Sequence, residues 1–242
     1  MRLLINILFL VIFFIISIPL FLIELIIGKF NRRAMHGSSQ KIVAFALRVI
    51  LFLSGTKLTT IGVENIPKDE AVLYVANHRS IFDIVVSYVT IPNLTSFISK
   101  IETKKIPFLR TWMAFLQCIF IDRDNIRQGL TVVLKAIEQI KDGYSIFISP
   151  EGTRNHSAEL LPFKAGSFKI AEKAGCAIIP VSISNTDAVF ENQLPWIRKA
   201  NVVIEYGKPI YPRDLNREHL KTINTRVQGI IQDTLAKNAS LI

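Results

Sequence analysis

The chain opens on a nearly unbroken apolar run. Residues 3–27 are interrupted only by Asn6, Ser17, Pro19 and Glu24, and a second apolar stretch at 42–53 contains Arg48. The first run exceeds the roughly 20 residues a helix needs to cross hydrocarbon. It is too long for a typical signal-peptide core, and no small-residue cleavage site follows it. Lys29, Arg32 and Arg33 come next. The second stretch is too short to span and reads as amphipathic. Two placements fit this pattern. One is a single spanning helix with the remaining chain on the positive, cytoplasmic side. The other is a pair of helices dipping into one leaflet, with Pro19 and Glu24 discouraging a clean crossing. Both put the rest of the chain at the cytoplasmic face of the cell membrane.

From Lys57 onward short apolar runs alternate with helical periodicity. Strands are expected near 58–63, 71–76, 95–99, 118–122, 145–149, 177–183 and 202–206, and helices near 81–89, 108–116, 126–141, 167–173 and 217–236. In the helix at 126–141 the apolar stripe is Leu130, Val133, Leu134, Ile137 and Ile140, and Gly143 marks its end. Alternation of this kind predicts an α/β fold, a mixed β-sheet flanked by helices. The chain then divides into an N-terminal membrane-anchoring helical segment, 1–56, and an α/β domain, 57–242. The stretch from Pro212 onward reads as an amphipathic surface helix without chemistry of its own.

Charge narrows the choice of partner. Half of the 242 residues are hydrophobic and the formal net charge is +10. A basic chain this apolar suits an anionic partner that is itself greasy, meaning membrane lipid or a phosphorylated lipid. No nucleic-acid recognition motif is present. Cys118 and Cys176 lie apart in apolar runs and read as buried free thiols, and the four histidines lack metal-ligand spacing, so no metal is expected.

The chemistry concentrates after the run at 71–76, in Asn77-His78-Arg79-Ser80-Ile81-Phe82-Asp83. His78 falls in a strand-to-helix turn and Asp83 about one turn into the helix. Helical positions five apart point to different sides, so the two meet only if His78 folds back over the first turn. The carboxylate would then hold one ring nitrogen and leave the other free to take a proton. Ser80-x-x-Asp83 equally fits a capping box. Backbone amides near Arg79 and Ser80 are candidate donors to a developing oxyanion. Ser80 as a nucleophile is a rival arrangement, unsupported by any Gly-x-Ser-x-Gly elbow.

Further segments put polar residues at strand ends, where open α/β sheets form ligand sites. They are Ser99-Lys100-Ile101-Glu102, Ile121-Asp122-Arg123, Ser149-Pro150-Glu151-Gly152-Thr153-Arg154, and the segment from Ile179 to Asn185. Together with the His78 motif, these blocks resemble those of the glycerolipid acyltransferase family, in order, over roughly 57–185. The departures are Ser149 where phenylalanine is usual, Asn155 where serine is common, Thr103 where leucine is common and Arg110 where glycine is common.

The resemblance implies transfer of a fatty acyl chain from acyl-CoA or acyl-carrier protein, with no bound cofactor, to the sn-2 hydroxyl of lysophosphatidic acid. It implies His78 as general base, Asp83 as its orienting partner, and Arg123 and Arg154 as phosphate ligands. Lys100 is a further candidate cation. Gly152 permits a sharp turn, Thr153 belongs to the same substrate-binding turn, and Glu151 is expected to hold the arginine or bind glycerol hydroxyls. A protein that merely holds anionic lipid would explain the charge and the apolar segment, but not the joint occurrence of His78, Asp83 and the turn at 151–154.

Overall fold

The structure is a computed structural model that describes residues 1–122, 126–157 and 159–242. Two long helices come first, α1 (Arg2–Phe30) and α2 (Arg32–Ser54). They are joined at Asn31, whose side-chain oxygen accepts from the Ala34 amide at 2.9 Å and so caps α2. α2 begins well before the apolar stretch at 42–53. Its first half is polar in sequence, yet His36, Ser39 and Gln40 are buried. Gln40 explains part of this: its amide donates to the Asn93 carbonyl at 2.8 Å and its oxygen accepts from the Thr95 amide at 2.9 Å. A polar helix face can be buried when its groups find partners.

The strands are β1 (Lys57–Ile61), β2 (Leu73–Ala76), β3 (Thr95–Lys100), β4 (Ile119–Ile121), β5 (Ser145–Ile148), β6 (Ile178–Ser184) and β7 (Asn201–Tyr206). They form one sheet in the order β1-β7-β6-β2-β5-β3-β4. Every pairing is parallel except β6 with β7, so the sheet is mixed, as the alternation predicted. The remaining helices are α3 (Phe82–Thr90), α4 (Leu109–Phe115), α5 (Ile126–Lys141), α6 (Lys169–Ala174), α7 (Arg217–Lys221) and α8 (Ile223–Asn238). The expected C-terminal helix is thus two pieces, separated at Thr222. The longer one buries Ile223, Val227 and Ile231 against the sheet side of the core.

Two apolar layers sandwich the sheet. On one face Tyr74, Ala76, Phe97 and Phe147 pack with Ile50 and Leu51 of α2, Phe82 and Val86 of α3 and Met113 of α4. The Tyr88, Phe97 and Phe147 rings stack in series there, at centroid distances of 4.1 and 4.5 Å. On the other face Leu73, Val75 and Ile146 pack with α5, α6 and α8. Alternate residues of β2 serve opposite layers, the two-residue period of a strand.

α1 lies outside α2 and α4. Ser17 accepts from the Trp112 indole N–H at 2.9 Å, Phe13 and Phe14 stack on Trp112 and Phe108, and Phe21 meets Phe115 edge to face. Its three buried residues are the polar ones, Asn6, Ser17 and Glu24, while its outward face is a continuous set of exposed Leu, Ile and Val side chains.

The buried stripe of α5 only partly matches the one read in the sequence: Ile140 is buried and Val133 and Ile137 pack partly buried against the core. Val132, Ala136 and Ile140 face the core, whereas Leu130 and Leu134 are exposed. The helix carries two overlapping apolar stripes, and packing against β4, β5 and α6 selects the one with the smaller side chains. Ile140→Ala should therefore cost about 2–5 kcal/mol, while Leu134→Ala should change stability by no more than about 0.5 kcal/mol. Denaturant unfolding of the detergent-solubilised protein checks both, and similar losses for the two would overturn the assigned face.

Candidate active site

Parallel neighbours β2 and β5 end side by side, with Tyr74 opposite Phe147 and Val75 opposite Ile148. From β2 the chain runs into α3 on one face of the sheet, and from β5 toward α6 on the other. Connections that diverge in this way leave a crevice beyond the strand ends. His78 leaves β2 into that crevice, and the turn at 151–154 leaves β5 into it.

The first turn of α3 is organised by one carboxylate. Asp83 Oδ2 accepts from His78 Nδ1 at 2.8 Å, the Arg79 amide at 2.7 Å and the Ser80 amide at 2.9 Å. Asp83 Oδ1 accepts from the Thr186 hydroxyl. Asp83 is 1% exposed, and a buried carboxylate needs such partners to offset its lost hydration. The capping and orienting roles read from the sequence therefore coexist. With Nδ1–H committed to Asp83, the neutral ring carries its lone pair on Nε2. Nε2 has no hydrogen-bond partner among the described residues, and the side chain keeps 13% of its surface exposed.

This arrangement corrects one expectation and weighs against the rival one. The amides of Arg79 and Ser80 are spent on Asp83 and are not oxyanion donors. Ser80 is fully buried, with its hydroxyl donating to Glu191 Oε2 and accepting from the Phe82 amide at 2.9 Å. It is built into the helix start and unsuited to attack a substrate.

The main chain around His78 is strapped on both sides to the turn after β5. The His78 amide donates to Glu151 Oε1 at 2.8 Å, and the His78 carbonyl accepts from the Asn155 amide at 2.8 Å. Glu151 Oε2 accepts from the Asn155 side chain and from the Leu161 amide, both at 3.0 Å. Glu151 is buried, and its carboxylate holds backbone. It does not hold Arg154, which pairs instead with Glu191: Arg154 Nη1 donates to Glu191 Oε1 at 3.1 Å. Asn155, a departure from the family pattern, has a local role as part of this strap. Gly152 sits at φ +76°, a conformation costly for other residues, and Thr153 is exposed beside it.

The candidate cations are distributed unevenly. Arg154 is half exposed at the crevice. Lys100 is exposed at the end of β3, two strands from β2, a lateral offset of roughly 10 Å. Arg123 lies outside the described residues.

Thr186 and Glu191 carried no usable sequence signal, and Asn77, although part of the His78 motif, had no role read for it. The Asn77 amide bridges to β6, donating to the Ile183 carbonyl at 2.8 Å and accepting from the Ile183 amide at 2.9 Å. Thr186 lies more than 100 residues from Asp83, and Glu191 more than 100 from the Ser80–Ile81 segment. Glu191 collects the Ser80 hydroxyl, the Ile81 amide at 2.8 Å and Arg154. Only the tertiary fold brings them in.

An apolar cavity of about 540 Å³ opens immediately beyond the His78 turn, within the size range of small-molecule sites. It is lined by Ile81, just ahead of α3, Phe82 and Val85 of α3, Leu10 and Phe14 of α1, Leu47 of α2, Trp112 and Met113 of α4, and Phe190 and Ile197. Tyr88 and Cys118 form part of its wall, 3.6 Å apart. Burial raises the Cys118 thiol above its usual range and pushes that of Cys176 up to about 12. Both are therefore inert apolar side chains at neutral pH.

The family profile described as Acyltransferase matches residues 57–184. The 1-acyl-sn-glycerol-3-phosphate acyltransferase of Borreliella burgdorferi is 33% identical over 165 residues, 68% of this chain and 63% of that protein. The enzyme of the same name from Saccharomyces cerevisiae is 28% identical over 77% of this chain and 62% of its own length, so the chain spans a little under two thirds of these two relatives. A probable 1-acyl-sn-glycerol-3-phosphate acyltransferase of Mycoplasma pneumoniae is 31% identical over 78% of this chain and 75% of its own. The crystal structure of the 1-acyl-sn-glycerophosphate (LPA) acyltransferase PlsC from Thermotoga maritima superposes with a TM-score of 0.79 at 25% identity, covering 98% of this chain and 97% of that one. With the profile spanning more than half of the chain, and with the histidine and carboxylate of its first block in contact at the head of α3, the chain belongs to the acyltransferase family.

Proposed function

We propose that the chain transfers a fatty acyl group from a thioester to the sn-2 hydroxyl of 1-acyl-glycerol-3-phosphate, forming phosphatidic acid. The observation that carries this reading is an Asp83-held imidazole in the turn that leads directly into Ile81 and Phe82, two residues lining an apolar cavity. An alcohol is a weak nucleophile at neutral pH. His78 Nε2 takes its proton as the oxygen attacks the thioester carbonyl. The tetrahedral intermediate then collapses, the carbon–sulfur bond breaks, and the imidazolium returns the proton to the departing thiolate. Asp83 keeps the tautomer and balances the imidazolium, as in the histidine–aspartate half of a serine hydrolase, with the substrate hydroxyl in place of the serine. The cavity accommodates an acyl chain. Arg154, Arg123 and Lys100 supply charge for the acceptor phosphate, and acyl-CoA or acyl-carrier protein, both anionic, serves as donor.

The membrane reading follows from α1. Its 29 residues measure about 44 Å, against a hydrocarbon core of about 30 Å. Its contacts with the rest of the chain run from Leu10 at the cavity, through Ser17 on Trp112, to Glu24, whose carboxylate accepts from Ser38 of α2 at 2.8 Å. A helix held to the α/β domain at Ser17 and to α2 at Glu24 packs along the rest of the chain and does not stand free as a crossing span. The apolar outer face of α1 therefore lies in one leaflet, with the domain at the cytoplasmic surface.

His78→Ala should lower the rate of acyl transfer to lysophosphatidic acid by about 10²–10⁴-fold while the protein stays folded and membrane-bound. Full activity in that variant would end the proposal. Arg154→Ala should raise the acceptor KM and leave the donor KM near its wild-type value, and a change confined to the donor would reverse the assignment. Ser80→Ala should keep measurable turnover and lose about 0.5–2 kcal/mol of stability as a helix-start residue, whereas a nucleophile would lose all turnover.

A further inference from the structure

Lys164 was not among the residues singled out by sequence, and it lies outside the blocks that carry the family resemblance. It precedes the short helical turn Ala165–Phe168, and its amide donates to the Pro150 carbonyl at 3.2 Å, which ties it to the turn after β5. Its side chain then folds back over Gly152. A Cβ built on Gly152 would come within 2.6 Å of Lys164 Nζ and 3.0 Å of its Cε. The space a side chain would fill at Gly152 is thus occupied by an ammonium group. Glycine is required there twice, by its φ of +76° and by the close approach of this lysine.

The charge balance of the crevice gives this placement meaning. Arg154 is offset by Glu191, and Glu151 is consumed by three N–H donors. Among the described residues the Lys164 ammonium makes neither a hydrogen bond nor an ion pair. A cation packed onto the turn that straps His78, and left without a counter-ion, is matched to an anion from outside. We infer that Lys164 binds the phosphate monoester of the acceptor, its ammonium reaching the ligand across Gly152. This rests on the acyl-transfer reading above and adds the residue that supplies net positive charge where Arg154 is already partly neutralised.

The test compares Lys164→Ala with Lys173→Ala, an exposed lysine on α6 away from the crevice, as a control for general surface charge. Lys164→Ala is expected to raise the KM for lysophosphatidic acid roughly 10- to 100-fold, the range for a lost hydrogen bond to a charged group. kcat should fall much less, the KM for the acyl thioester should hold, and Lys173→Ala should match wild type. With monoacylglycerol, which lacks the phosphate, Lys164→Ala and wild type should differ far less. An unchanged acceptor KM in Lys164→Ala would overturn the inference, and an effect on the donor KM alone would assign the lysine to donor phosphates instead. Failure of the acyl-transfer reading would show separately, as absence of turnover in wild type. For that case phosphorus NMR of sn-glycerol 3-phosphate binding decides the point without turnover: equal binding by wild type and Lys164→Ala refutes the inference, and weaker binding by the variant supports it.

Discussion

The site depends on a single buried carboxylate. Asp83 gathers the imidazole of His78, two consecutive amides and the Thr186 hydroxyl onto its two oxygens. These amides lie in the turn that leads into α3, and the group that holds them also fixes the tautomer of the His78 ring. Helix capping and imidazole orientation are thus one interaction. The turn cannot loosen without releasing the ring, and the ring cannot swing without leaving a buried anion short of a donor, a costly state.

Around this carboxylate the sheet order does the positioning. β2 is central, with β5 on one side and β6 on the other. From β5 comes Glu151, which holds the His78 amide. From β6 and the loop after it come Ile183, Thr186 and Glu191, which hold Asn77, Asp83 and the Ser80–Ile81 segment. The His78 turn is therefore fixed by both flanking strands, each contact a hydrogen bond to backbone or to a side chain already tied down. Such rigidity suits the general-base role proposed for His78.

α1 shows how polar residues orient an apolar helix. A helix apolar on all sides has no preferred face toward a protein when lipid is the alternative. Asn6, Ser17 and Glu24 break that symmetry, because in hydrocarbon their polar groups would lack partners. They turn inward, Ser17 onto Trp112 and Glu24 onto Ser38. The aromatic residues beside them follow and close the wall of the cavity that begins at the His78 turn.

All seven strands, the helix after His78 and the helical N-terminus were legible in hydrophobic periodicity, because burial on one face imposes a local, repeating pattern. The meeting of His78 and Asp83 was also legible, since five residues around a strand-to-helix turn leave few ways to place them. Periodicity misplaced Leu130 and Leu134 of α5, where two apolar stripes overlap, and it missed the buried polar half of α2, where the hydrogen bonds of Gln40 leave no hydrophobic trace. Glu191 in place of Glu151 as the partner of Arg154, the inward turn of Asn6, Ser17 and Glu24, and the ammonium over Gly152 were decided by tertiary structure alone. Hydrophobic burial repeats along the chain and can be read there, whereas the partner of a charged or polar group is chosen by strand order and loop path, which join residues that no local spacing relates.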